Sequence, residues 1–411
     1  MVQLSQRAGT RPAVGMPAGD HDQDLVARLR HDVLASAASP SNAASDSTLG
    51  ADSGLAVLAS LAAAETGSAA EQREVARAAV HRWLGGYRDG VSGYNLFGLG
   101  MAGMLAGLEQ AIELEPRLFG LAVATRTRLV AWSATRPWRT DGLDWDDYDL
   151  ISGPSGMLLA LAAGGEPADL VPVAEQLAGL CTPELDRLRV SIQHPGEQRA
   201  ANLGRVNTGL GHGVPGVVAA LTAAVRVLPR ADFAEALATV SHWLIEHQVR
   251  DDRGIIGWRP IERADQPVPP LVRPQVWCYG TPGIAYMLWE AGQVLSDPVI
   301  SDFALEAMAS LCPRWEPELY LSRSSPGSHL TICHGAAGVL AIADAFARHA
   351  EFEPAAELRT QLTGYLHERL DELAEHASAD LTLLTGTPGV LAVLCSAGGG
   401  PRGWLGQLGL R

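Results

Sequence analysis

Gly335-Ala336-Ala337-Gly338, directly before the apolar run 339–347, is one of seven glycine-spaced turns in this chain. The others read Ala51-Asp52-Ser53-Gly54, Gly100-Met101-Ala102-Gly103, Gly153-Pro154-Ser155-Gly156, Gly213-Val214-Pro215-Gly216, Gly280-Thr281-Pro282-Gly283 and Gly386-Thr387-Pro388-Gly389. Their starts at 51, 100, 153, 213, 280, 335 and 386 are 49 to 67 residues apart, which is room for two helices and their connections. The run after each turn is small and aliphatic nearly all round, as in a helix buried on every side. The segments before the turns, 24–37, 71–84, 117–131, 168–180, 231–247, 299–311 and 355–373, are more polar and periodic. They read as amphipathic outer helices.

Pro215, Pro282 and Pro388 stand just before the second glycine of their turns. A proline in a first helical turn costs no helical hydrogen bond, so the turns mark the starts of inner helices. Seven outer and seven inner helices in alternation predict an all-α protein, a seven-fold α/α toroid. In this double ring repeat seven closes on repeat one. An open helical solenoid is the alternative. Residues 1–20 read as a flexible tail and 21–411 as a single toroid domain. The charge- and proline-rich stretch 250–274 reads as a loop or small subdomain laid over one face. A second irregular stretch, 313–331, carries Ser322, Ser324, Ser325 and Ser328.

Nearly half of the 411 residues are apolar, ample for a large core. The formal charge is 31 − 46 = −15 and spread thinly, which disfavours nucleic acid and leaves no basic patch for anionic membranes. The N-terminal residues lack the apolar core of a signal peptide. The apolar stretch 54–64 stops at Glu65, far short of a membrane span. Five cysteines, an odd number without an export signal, point to reduced thiols in a cytoplasm.

Four residues of metal or acid–base chemistry share the turn register. His212 and His334 stand one residue before the first glycine of their turns, and Cys278 and Cys333 stand two before. Equivalent places in equivalent repeats meet at one end of a closed ring. Cys278, Cys333 and His334 form a plausible zinc set, because zinc favours thiolate and imidazole and three protein ligands leave a fourth position open. Singly, each cysteine reads as a small buried residue, as do Cys181, Cys312 and Cys395. The shared register favours the ligand reading. His212 can be a fourth ligand or a free acid–base group. Asp149, four residues before Gly153, reads as an N-cap or as a catalytic carboxylate.

The segments Gly211-His212-Gly213, Trp277-Cys278-Tyr279-Gly280 and Cys333-His334-Gly335, in that order among glycine-turn repeats, resemble the lanthionine synthetase C-like family, the lanthipeptide cyclases of class I type. The resemblance spans about residues 49 to 394. It implies the same seven-fold toroid and one Zn2+ ion held by Cys278, Cys333 and His334. It makes His212 a catalytic acid–base group and Asp149 a second catalytic residue, with Arg273, Trp277 and Tyr279 positioning substrate. One departure is Pro274, where family members often carry arginine, with Arg273 one place earlier. The implied reaction adds cysteine thiols to dehydroalanine or dehydrobutyrine in a dehydrated precursor peptide, forming thioether rings. The implied setting is the cytoplasm, at the membrane only through a complex with a dehydratase and an exporter. Two other readings use the same residues: glutathione-type thiol addition to dehydrated residues, and a non-catalytic zinc-stabilised peptide-binding scaffold. A zinc-dependent prenyltransferase is disfavoured, since that family uses Asp, Cys and His as ligands.

Overall fold

The computed structural model describes residues 20–39, 52–65, 69–88, 90–91, 93–191, 203–262, 269–321, 325–377 and 379–411. The tail through residue 19, Ala51, Ser322 and Ser324 therefore lie outside the described residues. Numbered in chain order, the long helices are α1 Asp20–Ala38, α2 Gly54–Ala64, α3 Ala70–Gly85, α4 Met101–Ala111, α5 Phe119–Thr135, α6 Pro154–Ala162 and α7 Pro167–Leu180. The second half comprises α8 Val214–Val227, α9 Ala231–Glu246, α10 Thr281–Leu295, α11 Pro298–Leu311, α12 Ala336–His349, α13 Glu353–His367 and α14 Thr387–Ala397. The even-numbered helices are the apolar runs, and their residues are buried almost throughout. The odd-numbered helices bury one face against them and leave the other wet.

Each inner helix packs on the next, and α14 returns to pack on α2. The ring is closed, and the solenoid alternative is excluded. Because an outer helix carries the chain back between inner ones, all seven inner helices point the same way. Their N-terminal turns therefore gather at one end, the mouth. The last outer segment is shorter than its periodicity predicts: Arg369 leaves helical angles at φ −120° and ψ 18°, and a separate short helix, Leu370–Glu375, follows.

Hydrogen bonds tie the turns together around the mouth. Phe97 N donates to Ile151 O at 3.2 Å, Leu150 N to Gly211 O at 3.0 Å, Leu210 N to Cys278 O at 2.7 Å and Cys333 N to Leu384 O at 2.9 Å. Each acceptor stands two residues before the first glycine of its turn. At the seam between the last and first repeats a side chain takes over. The buried carboxylate of Asp52 accepts from Leu383 N at 2.8 and 2.9 Å and from Gly54 N at 2.9 Å.

Glycine is needed where these turns approach each other. A Cβ on Gly338 would lie 2.0 Å from Ile332 O and 2.7 Å from the Trp277 Cβ, so the first turn of α12 seats against the neighbouring repeat only without a side chain. Gly280 has φ +89°, a left-handed conformation that other residues resist.

Within the stretch 250–274, strands β1 Val249–Arg250 and β2 Ile256–Gly257 pair antiparallel. Asp251 organises this hairpin by accepting from the amides of Arg253, Ile255 and Val272. The chain beyond it lies against the loop leading to His212, with Thr208 N donating to Pro260 O and Glu262 N to Val206 O.

Asp52→Ala should destabilise the protein by about 1–3 kcal/mol, because it strands the buried amides of Gly54 and Leu383. Asp52→Asn, which keeps an acceptor, should cost less; denaturant titration reads both. Burial pushes the Asp52 carboxyl up to about 7, against the amides that favour its charged form. The folded state therefore binds this proton more tightly than the unfolded state, where the value is about 3.9. Its contribution is fully present below about pH 4 and is lost as pH rises through 7, a fall that Asp52→Asn should remove.

Candidate active site

Four consecutive repeats supply the site. Asp149 precedes α6, His212 precedes α8, Cys278 precedes α10, and Cys333 with His334 precedes α12. The turn-to-turn bonds of Leu150 to Gly211 and Leu210 to Cys278 place these segments side by side. The loop of His212 lies against the cysteine, close enough that a Cβ on Gly211 would be in van der Waals contact with the Cys278 Cβ at 3.7 Å.

His212 Nδ1 and Asp149 Oδ2 are 2.6 Å apart. The carboxylate is wholly buried, and its other oxygen accepts from Ser152 N at 2.8 Å. Asp149 therefore organises its own loop and orients the imidazole; it is not the N-cap of α6, a place that Gly153 takes. The His212 side chain is 36 % exposed, and with Nδ1 engaged, Nε2 is the nitrogen available to a substrate. The Trp145 ring stacks on it, with centroids 5.6 Å apart and planes at 25°.

Burial by itself lowers the pKa of His212, but the hydrogen bond and charge of Asp149 outweigh it, with Cys333 and Asp146 adding. The imidazole is held above its ordinary value. Asp149 is pushed up by burial, partly offset by His212 and the Ser152 amide.

The ligand atoms of Cys278, Cys333 and His334 all lie within 4.8 Å of one another, and the two cysteines are buried while the histidine is exposed. Cys333 Sγ and His334 Nε2 are 3.7 Å apart. Two atoms held tetrahedrally at zinc's usual distances of about 2.3 and 2.05 Å stand about 3.6 Å apart, so the donor set fits zinc. Cys333 is lowered by the thiol of Cys278 hydrogen-bonding to it, against burial and with help from His334 and His212. Cys278, the donor of that bond, is correspondingly raised. His334 is raised by its contact with Cys333. All five cysteines are free thiols, as their odd number suggests.

The three residues expected to position substrate fare differently. Tyr279 is half-buried at the mouth, packed over Gly209, and its hydroxyl accepts from Asn207 Nδ2 at 3.3 Å. Arg273 is exposed and bonded through a cis peptide to Pro274. Trp277 is fully buried and donates from Nε1 to Leu408 O at 3.2 Å. It has no surface to offer a substrate, which corrects the expectation for that residue.

Two contributors escaped the sequence reading. Asn207 is buried and holds the His212 loop, accepting from Gly209 N at 2.7 Å through Oδ1 and from Val214 N through its backbone oxygen. Its place two residues before a glycine is a turn signal. Trp145 has no periodic signal at all. The site itself is an open mouth. A cavity of about 840 Å3 lies at the opposite end, lined by Arg30, Leu61, Glu65 and Arg359 among others, and holds none of these residues.

Fold and site define a class: a closed seven-fold helical toroid with a two-thiol, one-imidazole metal-binding set beside a histidine–aspartate pair at its mouth. A sequence profile of the lanthionine synthetase C-like proteins matches residues 54–399. No curated protein matches the chain in sequence. Among solved structures, a nisin cyclase superposes with a TM-score of 0.76 at 18 % identity, over 95 % of this chain and 96 % of that one, a likeness of fold. The chain belongs to the lanthionine synthetase C-like family, which makes it an enzyme of the lanthionine synthetase kind.

Asp149→Asn should lower the pKa of His212, because the negative partner that favours imidazolium is gone. NMR titration of the His212 ring reads this directly, and an unmoved midpoint would exclude the pairing.

Proposed function

We propose that this chain is a zinc-dependent peptide cyclase that adds cysteine thiols to dehydroalanine or dehydrobutyrine residues of a dehydrated precursor peptide, forming lanthionine and methyllanthionine rings. The observation that carries this reading is the juxtaposition, in adjacent repeats, of the Cys278–Cys333–His334 set with the His212–Asp149 pair. A thiol of pKa about 8.5 is mostly protonated at neutral pH. Zinc held by Cys278, Cys333 and His334 supplies the Lewis acidity that favours a substrate sulfur as thiolate.

The chain's own residues account for the rest. Addition forms a carbon–sulfur bond at the β-carbon and moves the alkene electron pair toward the α-carbon and its carbonyl. His212, whose protonated form Asp149 favours, delivers a proton from Nε2 to the α-carbon and is reprotonated by the proton the thiol releases, so the product is an isomer of the reactant. The Ser152 amide keeps Asp149 aimed at the imidazole. The gathered N-termini of α8, α10 and α12 place positive potential where enolate charge develops. Tyr279 and Arg273 line the approach and orient the peptide. The reading includes one toroid domain over residues 21–411 and a cytoplasmic setting. It also includes a dehydratase that supplies the substrate and an exporter that takes the product. Among the described residues no helix is long and apolar enough to cross a membrane.

Cys278→Ala and Cys333→Ala should each remove bound zinc and cyclisation together. His212→Ala should keep the zinc and slow ring formation by about 100-fold or more, the usual worth of a positioned acid. Because addition leaves mass unchanged, the assay is loss of alkylatable thiols in a dehydrated precursor, with metal analysis alongside. Thiol counts that stay constant across several matched precursors would sink the cyclase reading, and zinc loss in His212→Ala would make it a ligand instead.

A further inference from the structure

Residues 403–411 fill the hole of the ring, and they meet every inner helix or its leading turn. The turn Gly403–Leu408 packs on α4 and α6. Gln407 hydrogen-bonds Ser53 before α2, and Trp404 Nε1 donates to Ser396 Oγ in α14 at 3.0 Å. Gly409 approaches Ala219 of α8 and Met287 of α10. Arg411 Nε donates to Glu290 Oε1 in α10 at 2.7 Å, and its backbone oxygen lies 3.2 Å from His349 Nε2 at the end of α12. Trp404, Leu405 and Leu408 are all but fully buried.

One contact joins this plug to the chemistry. The Leu408 carbonyl takes the indole N–H of Trp277, and Trp277 is the residue before Cys278. The same indole is wedged between the two ligand-bearing repeats. Its Cβ lies where a side chain on Gly338 would stand, in the first turn of α12 behind Cys333 and His334. Across the hole its ring meets Phe97 edge to face at 6.4 Å. The indole can turn only by giving up a buried hydrogen bond, so the plug sets its orientation. Trp277, packed by its Cβ against the turn of Gly338, in turn spaces Cys278 from the neighbouring turn.

We infer that residues 403–411 are a positioning element for the metal centre, acting through Trp277 on Cys278. The inference rests on the metal-binding reading of Cys278, Cys333 and His334 and extends it to a segment more than a hundred residues beyond Cys278. Groups behind the ligands of a metal tune its affinity by roughly 10- to 100-fold when removed.

Two variants test it from opposite ends. Trp277→Phe keeps an aromatic ring but removes the N–H and part of the ring volume. Gly409→Ala leaves the site untouched but sits at φ +76°, where a Cβ would meet Met287 Sδ at 3.0 Å and Ala219 Cβ at 3.1 Å, so it displaces the carbonyl next to it. Leu362→Ala, a cavity in outer helix α13, is the control for general destabilisation. Zn2+ affinity is measured by competition with a chromophoric chelator, with circular dichroism reporting the fold. Trp277→Phe and Gly409→Ala should bind zinc about ten-fold more weakly while folded, and Leu362→Ala should bind as the unaltered protein does. Should Gly409→Ala not fold, Trp277→Phe decides alone. Unchanged affinity in Trp277→Phe, or equal weakening in Leu362→Ala, overturns the inference and leaves the metal reading standing. An unaltered protein that binds no zinc overturns both.

Discussion

The hydrogen bonds that tie neighbouring inner-helix turns together at most junctions around the mouth are the constraint on which the rest of this structure depends. A single toroid repeat cannot bury its apolar inner helix alone; only neighbours on both sides do so, and the set is complete only when the ring closes. The turn-to-turn bonds fix the rotational register of that closure. They place the residue two positions before four of the turns on the rim of the mouth, whatever its side chain. Where the side chain is the apolar Ile151 or Leu384, the rim is packing. Where it is Cys278, the rim becomes chemistry.

The seam shows the constraint from its weak side. Between α14 and α2 the Asp52 carboxylate stands in for the backbone acceptor found elsewhere. The substitution costs charge burial, which is why this carboxyl sits near neutrality. Asp149 is buried as deeply yet faces His212, and its charge raises the pKa of the imidazole at the mouth. Two buried carboxylates in one ring thus do different work. The difference lies in what faces them: amides in one case and an imidazole in the other.

The repeat count, the helix order and the register of His212, Cys278, Cys333 and His334 were legible because they follow from period and spacing. An inner helix must be apolar all round, and its leading turn must be glycine-rich to pass its neighbours, so both leave marks in the composition. The partners of the site were not legible in this way. Asn207 looks like any turn asparagine, and Trp145 sits in an acidic stretch without period. Trp277, flanking a ligand in a short motif, reads as a substrate contact. Its indole instead turns inward to Leu408, a choice made by the plug at the ring's centre.

By itself the sequence determined that helices alternate, that there are seven pairs, and which residues share a place within a repeat. These are local properties, encoded in spacing a few residues wide. Tertiary structure alone decided that the ring closes through the Asp52 carboxylate, that Asp149 reaches His212, and that residues 403–411 seal the hole behind Cys278. Those contacts join positions from 63 to 354 residues apart. No local pattern specifies them, because they exist only once the ring has closed and the burial it creates has chosen the partners.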